Sequence, residues 1–211
     1  MTQQIVHLFV FDTLADWEPP YAIAGINNPE FQVHQRYSVR TVGASRQPVK
    51  TMGGITILPD MTLDELEPAQ SAMLILPGGL NWGEGRYPYS AALEKAKVFV
   101  AAGVPVAAIC GATAGLALAG ILDDRRHTSN SLAELKATHY RGEALYQNQP
   151  AVTDKNVITA GGIYPIEFAH QIFKVLEIYD AGVLEAWYHL YKSGDESYFY
   201  ALQEKAGKSG E

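Results

Sequence analysis

What this chain lacks narrows its chemistry first. Its 211 residues include one cysteine, Cys110, so no intramolecular disulfide framework can hold it. No apolar run approaches the ~20 residues a membrane-crossing helix needs. The opening Met1-Thr-Gln-Gln-Ile-Val has no basic segment followed by an apolar stretch, so no secretory signal is expected. Lys and Arg total 16 against 23 Asp and Glu, a net charge of -7. Such a mean field repels phosphates, so neither nucleic acid nor a membrane is an expected partner. There is no Walker sequence and no dinucleotide-binding glycine fingerprint, and no histidines or carboxylates recur at metal-ligand spacing. Neither a metal nor a cofactor is therefore expected. Repeats, low-complexity segments and linkers are also missing. With 47% hydrophobic residues the chain can fill a core. The expectation is one cytoplasmic domain over 1–211, with 181–211 as a C-terminal helical extension.

Patterning supplies the fold class. Ile5–Phe11, Ala72–Leu76 and Val104–Ile109 are near-continuous apolar runs, the mark of strands covered on both faces. Tyr37–Val42 reads as a further strand. Val49–Met52 and Ile55–Leu58 flank Gly53-Gly54 as a hairpin. Helices are expected over Asp16–Ile26 (interrupted by Pro19 and Pro20), Tyr89–Ala102, Gly111–Gly120, Leu132–Thr138 and from Pro165 to about Ile178, with two more at the end. Thr62-Leu-Asp-Glu65 has capping-box spacing. Arg126–Ser129 reads as a short strand, and Ala151–Thr153 and Asn156–Ala160 as two β pieces about a turn. Strands alternating with helices predict an α/β sandwich with a mostly parallel sheet, whose ligands sit at the carboxyl ends of the strands.

Cys110 stands at such an end. The run Val-Ala-Ala-Ile ends at the cysteine, and Gly111 opens a helix of small residues. A strand, a sharp turn and a helix put the thiol at a corner like a nucleophile elbow, with free helical N–H groups that favour a thiolate. The plainer alternative is a small buried hydrophobe. Pro77-Gly78-Gly79 also follows a strand. Gly78 and Gly79 can bring backbone N–H groups to a developing oxyanion, with Gly111 N–H as the second donor, or they can be a plain turn. Glu18 follows the first strand. Ionised, it raises the thiol pKa; protonated in an apolar pocket, it donates to a thiolate. It can equally be a first-turn acid of the helix. His127 is the histidine nearest Cys110 in sequence and the candidate base of a Cys–His pair; its alternative is a structural role.

Taken together, Ala15-Asp-Trp-Glu18, Leu74-Ile-Leu-Pro-Gly-Gly79, Ala107-Ala-Ile-Cys-Gly-Ala112, Gly120-Ile-Leu-Asp-Asp-Arg-Arg126 and Ile158-Thr-Ala-Gly-Gly162 through Glu167-Phe168-Ala169 resemble the ThiJ/PfpI family of the class I glutamine-amidotransferase-like superfamily. The resemblance implies a flavodoxin-like three-layer sandwich. It makes Cys110 the elbow nucleophile, Glu18 the acid bonded to it, and Gly79 and Gly111 the oxyanion donors. It further implies a homodimer and a small-molecule substrate. Family precedents are amidase or peptidase action, glyoxalase-type conversion and isonitrile hydration; the alternative is a non-enzymatic redox-sensing or stress-protective, chaperone-like protein using an oxidisable Cys110. Many members carry a histidine directly after the cysteine or at the end of the next strand. Here those positions hold Gly111 and, in Thr128-Ser129-Asn130, asparagine. Asn130 cannot act as a base but can orient a substrate or donate to an oxyanion. Strand alternation turns His127 away from the direction Asn130 faces.

Overall fold

The computed structural model describes residues 4–32, 36–80, 82 and 86–208, with the side chains of all but 207 and 208. Nine strands are found among them: β1 (Gln4–Phe9), β2 (Tyr37–Gly43), β3 (Val49–Lys50), β4 (Thr56–Ile57), β5 (Met61–Thr62), β6 (Met73–Leu76), β7 (Val106–Ile109), β8 (Ala151–Asp154) and β9 (Val157–Ala160). Seven form one sheet in the order β5-β2-β1-β6-β7-β9-β8, and β3 and β4 form a separate antiparallel hairpin. Within the large sheet only β8 runs antiparallel to its neighbour.

Every residue of β6, β7 and β9 is buried, because helices cover both faces of the sheet. The helices are α1 (Pro20–Asn27), α2 (Tyr89–Ala101), α3 (Gly111–Leu118), α4 (Leu132–Lys136), α5 (Pro165–Leu176), α6 (Ala181–Ser193) and α7 (Ser197–Lys208). Chain order moves outward from β1 to β2 on one side and from β1 to β6 on the other. The gap beyond the carboxyl ends of β1 and β6 is therefore the topological switch point, where such sheets open a crevice. The loops carrying Glu18, Gly78 and Cys110 all leave the sheet at this end. Two of them are tied together, since Ala15 N–H donates to Gly78 O at 3.0 Å.

Two expected elements differ. The first helix starts at Pro20, not Asp16. Proline lacks the N–H that the first helical turn leaves unpaired, so it suits that position. Asp16 instead accepts bonds from the Thr51 hydroxyl and Gly53 N–H, pinning the β3–β4 turn. Arg126–Ser129 forms no regular strand. Its one ladder contact is an isolated bridge from His127 to Tyr146. Thr128 N–H bonds to the Thr159 hydroxyl at 2.9 Å instead of to a neighbouring strand's backbone.

Candidate active site

Cys110 is the first residue past β7 and the N-cap of α3, at φ 59° and ψ −128°. Positive φ in a residue with a Cβ is strained, at a cost of roughly 1–3 kcal/mol, and persists only where the surroundings enforce it. Here they do. Cys110 N–H donates to Ala160 O at 2.9 Å, extending the ladder to β9. Its carbonyl accepts from Thr113 N–H at 3.0 Å and from the Thr113 hydroxyl at 2.6 Å. The Thr113 hydroxyl lies 2.6 Å from that of Ser129. Thr113 spends its one proton on the carbonyl, so Ser129 is the donor of that pair. A buried chain of hydroxyls thus clamps the elbow from below.

Three groups surround the sulfur. Asn130 Nδ2 donates to Sγ at 3.4 Å, while Asn130 Oδ1 accepts from Gly162 N–H at 2.8 Å and fixes the amide's orientation. Gly111 N–H also points to the sulfur. Glu18 is fully buried beside it: Oε2 accepts from Gly78 N–H, and Oε1 has no conventional hydrogen-bond partner among the described residues. The close fit requires glycine at two places. A Cβ on Gly78 would stand 2.6 Å from Cys110 Cβ and 2.7 Å from Glu18 Oε2. One on Gly162 would stand 2.7 Å from the sulfur. The Trp17 indole closes over this corner, donating to Gly162 O at 3.2 Å.

Burial sets the electrostatics. It pushes the Glu18 carboxyl up to about 7, against the pull of the Gly78 N–H and the Cys110 contact. It pushes the Cys110 thiol up to about 11, reinforced by the Glu18 charge and opposed by Asn130 and Gly111. The start of α3 therefore does not suffice to hold a thiolate at rest, contrary to the sequence expectation. The resting pair is a thiol beside a carboxyl that is half ionised near neutral pH, an arrangement suited to proton transfer from sulfur to Glu18 at the moment of attack.

Gly79 N–H has no hydrogen-bond partner among the described residues, and it faces the same cavity as Gly111. These are the two backbone groups expected to serve an oxyanion. Asn130 reaches the sulfur.

His127 does not, and its expected catalytic role is corrected. Its Nδ1 lies 2.8 Å from Arg125 O, which can only accept, so Nδ1 carries the proton. Nε2, 3.1 Å from the Tyr140 hydroxyl, then accepts from it. The ring is fully buried between Tyr140 and Tyr146, and burial lowers its pKa. One nitrogen is spent on the Arg125 carbonyl and the other on the Tyr140 hydroxyl. Sequence reasoning also missed Gly162, Thr113 and Ser129 as parts of the site. Gly161-Gly162 follows β9 just as Gly78-Gly79 follows β6, which was the available signal. The hydroxyl chain left none. No group of three or more metal-ligating side chains occurs among the described residues.

A cysteine on a strained elbow, at the switch point of an α/β sandwich and beside a buried carboxyl, is the arrangement expected of the ThiJ/PfpI class. The chain belongs to the DJ-1/PfpI family, whose model matches residues 4–175. It is 40% identical over 206 residues to the Bacillus subtilis protein named uncharacterized protease YoaZ, covering 96% of this chain and 97% of that one. A thiJ/pfpI family protein from Bacillus anthracis superposes with a TM-score of 0.89 at 40% identity, covering 97% of this chain and 98% of that one. A DJ-1 superfamily protein from Agrobacterium tumefaciens does so at 0.81 and 33%, covering 91% and 99%. No helix among the described residues is long and apolar enough to cross a membrane.

Proposed function

We propose that the protein is a cysteine-dependent enzyme, a hydrolase, lyase or hydratase, acting on a small polar electrophile. One observation carries this reading: the strained Cys110 elbow is packed against a buried Glu18 whose carboxyl is pushed up to about 7. In the reaction the Glu18 carboxylate takes the thiol proton as the sulfur attacks a carbonyl or isonitrile carbon. Gly79 and Gly111 N–H groups stabilise the resulting negative charge, and Asn130 orients the substrate. Glu18 then returns the proton to the departing or newly formed group. Peptidase action is the weakest of the family precedents here, because no histidine assists the leaving amine.

Panels of small aldehydes, amides and isonitriles, assayed with wild type, Cys110→Ser and Glu18→Gln, test the proposal. Turnover is expected in wild type alone; turnover unchanged in Cys110→Ser refutes it.

A second reading, a redox-sensing or stress-protective thiol, is favoured by the donors gathered at the sulfur. Two equivalents of peroxide would convert the thiol to a sulfinic acid, releasing two waters, with Asn130, Gly111 and protonated Glu18 bonding its oxygens. Mass spectrometry after mild peroxide would find two added oxygens on Cys110; no selective modification ends this reading. We also infer a homodimer. Trp17, Met52, Ile55 and Ile163 are exposed apolar residues near the site's rim, and light scattering at micromolar concentration tests that state.

A further inference from the structure

The enzymatic reading leaves the substrate's charge open, and the walls of the site bear on it. Two cavities flank the Cys110 elbow. One, of about 450 Å³, is reached past Asn130 and Gly162, and its polar side chains are neutral: Ser129, Asn130, Asn148, Gln149 and Tyr164. The other, of about 260 Å³, lies across the oxyanion donors and is walled by Gly79, Gly111, Trp82, Ala114, Glu134, Ala137 and Thr138. Among the described residues no lysine, arginine or histidine lines either one. A substrate carboxylate or phosphate would find no counter-ion there. Among the described residues, the one acidic side chain in the two walls is Glu134.

The plain role for Glu134 is a capping box in the first turn of α4, and the structure makes only one arm of it. Ser131-Leu-Ala-Glu134 has capping-box spacing, and the Ser131 hydroxyl does accept from Glu134 N–H at 3.1 Å. The return bond, from Ser131 N–H to the Glu134 carboxylate, is not made. In the same fold the box at Thr62 and Glu65 closes both arms, with Thr62 N–H donating to Glu65 Oε2 at 2.8 Å. The neighbouring Lys136 is engaged by Glu143 at 2.6 Å and does not neutralise Glu134. The half-buried Glu134 carboxylate therefore has no hydrogen-bond or ion-pair partner among the described residues, and it faces the cavity that holds Gly79 and Gly111.

We propose that Glu134 is a specificity-determining residue: the substrate is an electrophile bearing an ammonium group and no anionic group, and it lies across Gly79 and Gly111 with its cation received by Glu134. The claim rests on Cys110 being the reacting group, and the test separates the two.

Cys110 is the sole cysteine, so every thiol reagent reports on it alone. Methanethiosulfonates are suitable probes: the thiolate attacks the sulfenyl sulfur, a mixed disulfide forms and methanesulfinate leaves. Labelling rates are measured with the trimethylammonioethyl, sulfonatoethyl and methyl reagents at about 10 mM ionic strength, where charges act over roughly 30 Å. Each is normalised to the same reagent's rate with a free small thiol. In wild type the cationic reagent is expected to outpace the anionic one by about tenfold or more, and Glu134→Gln to reduce that ratio about fivefold, through loss of a focused cleft charge. The neutral reagent's rate stays unchanged, and Lys136→Gln leaves the ratio unaltered.

About 1 M salt should collapse the wild-type ratio without any substitution, which guards against a misfolded variant. A ratio that Glu134→Gln leaves within twofold of wild type overturns the proposal. So does a wild type that favours the anion. A Glu134-dependent ratio in a protein that turns over no substrate would keep the cation subsite and refute the enzymatic reading instead.

Discussion

Replacing Glu18 with glutamine should make the protein more stable at alkaline pH while removing its reactivity. In the unfolded chain Glu18 titrates at its ordinary 4.5; in the fold, burial moves it to about 7. Below 4.5 both states hold the proton, and Glu18 adds no pH dependence. Between 4.5 and about 7 the unfolded chain has released the proton and the folded one has not, so the unfolded state binds fewer protons and stability falls as pH rises. Above that window the loss is complete and constant. A shift from 4.5 to about 7, at about 1.4 kcal/mol per pH unit, amounts to on the order of 3 kcal/mol. Glutamine is nearly isosteric, keeps an acceptor for Gly78 N–H and never ionises. The variant should therefore gain on wild type by that amount between pH 4.5 and 8. For a domain of this length it corresponds to a Tm difference widening by roughly 6–12 °C. Thermal or urea unfolding of both proteins across this range measures it. Constant effects of the substitution cancel in the comparison, so a gap that stays the same from pH 4.5 to 8 refutes the buried-carboxyl account.

The rate of Cys110 alkylation by iodoacetamide should rise with pH to a first inflection near the Glu18 value of about 7, as the carboxylate becomes available to take the thiol proton, and rise again toward the thiol's own value of about 11; no lower inflection in wild type, or the same lower inflection in Glu18→Gln, would contradict the pairing. Gly162→Ala puts a methyl 2.7 Å from the sulfur and 2.9 Å from Cys110 Cβ. It should cost about 1–3 kcal/mol of stability by overpacking and slow alkylation about tenfold or more; alkylation at the wild-type rate would mean the sulfur is not held against Gly162. His127→Ala should cost about 2–4 kcal/mol, since it removes a buried ring and strands the Tyr140 hydroxyl, yet leave alkylation within about twofold; an alkylation rate that falls tenfold would restore a catalytic histidine.

Much of this site was legible in the sequence, for a physical reason. Strands buried on both faces are written as unbroken apolar runs, so their ends are visible, and in a parallel sheet the functional loops lie at those ends. Glu18, Gly78, Gly79, Cys110 and Gly111 were found that way, each directly after such a run or a few residues beyond it. The segment 126–130 has no such run. Its backbone is held by side chains, Thr159 to Thr128 and Asn130 to Gly162, and no periodicity records bonds between residues more than 30 positions apart. Alternation still set His127 against Asn130, although it gave no place for Ser129. Asn130 turns to the sulfur, Ser129 to the clamp beneath the elbow, and His127 into its own packing between two tyrosines. The thiol's acidity was misread because the free helical N–H groups are local and visible in the sequence, whereas the desolvation that outweighs them comes from the whole fold.

In the proposed reaction the same desolvation lets Glu18 take the part of a histidine. A Cys–His pair stores its proton on a ring whose ordinary pKa is already near neutrality. A carboxyl reaches that range only by burial, so the fold must supply the shift that the residue type does not. Glu18 is enclosed by the Gly78 and Gly162 backbones, by Cys110 and by the loop tie between Ala15 and Gly78. Any side chain on Gly78 or Gly162 would push these walls apart, admit water and let the carboxyl fall back toward 4.5 and the thiol toward 9, because burial is the largest cause of both shifts. The two glycines therefore belong to the proposed acid–base chemistry although neither carries a titratable group. Tightness around Glu18 should set the pH at which Cys110 becomes reactive.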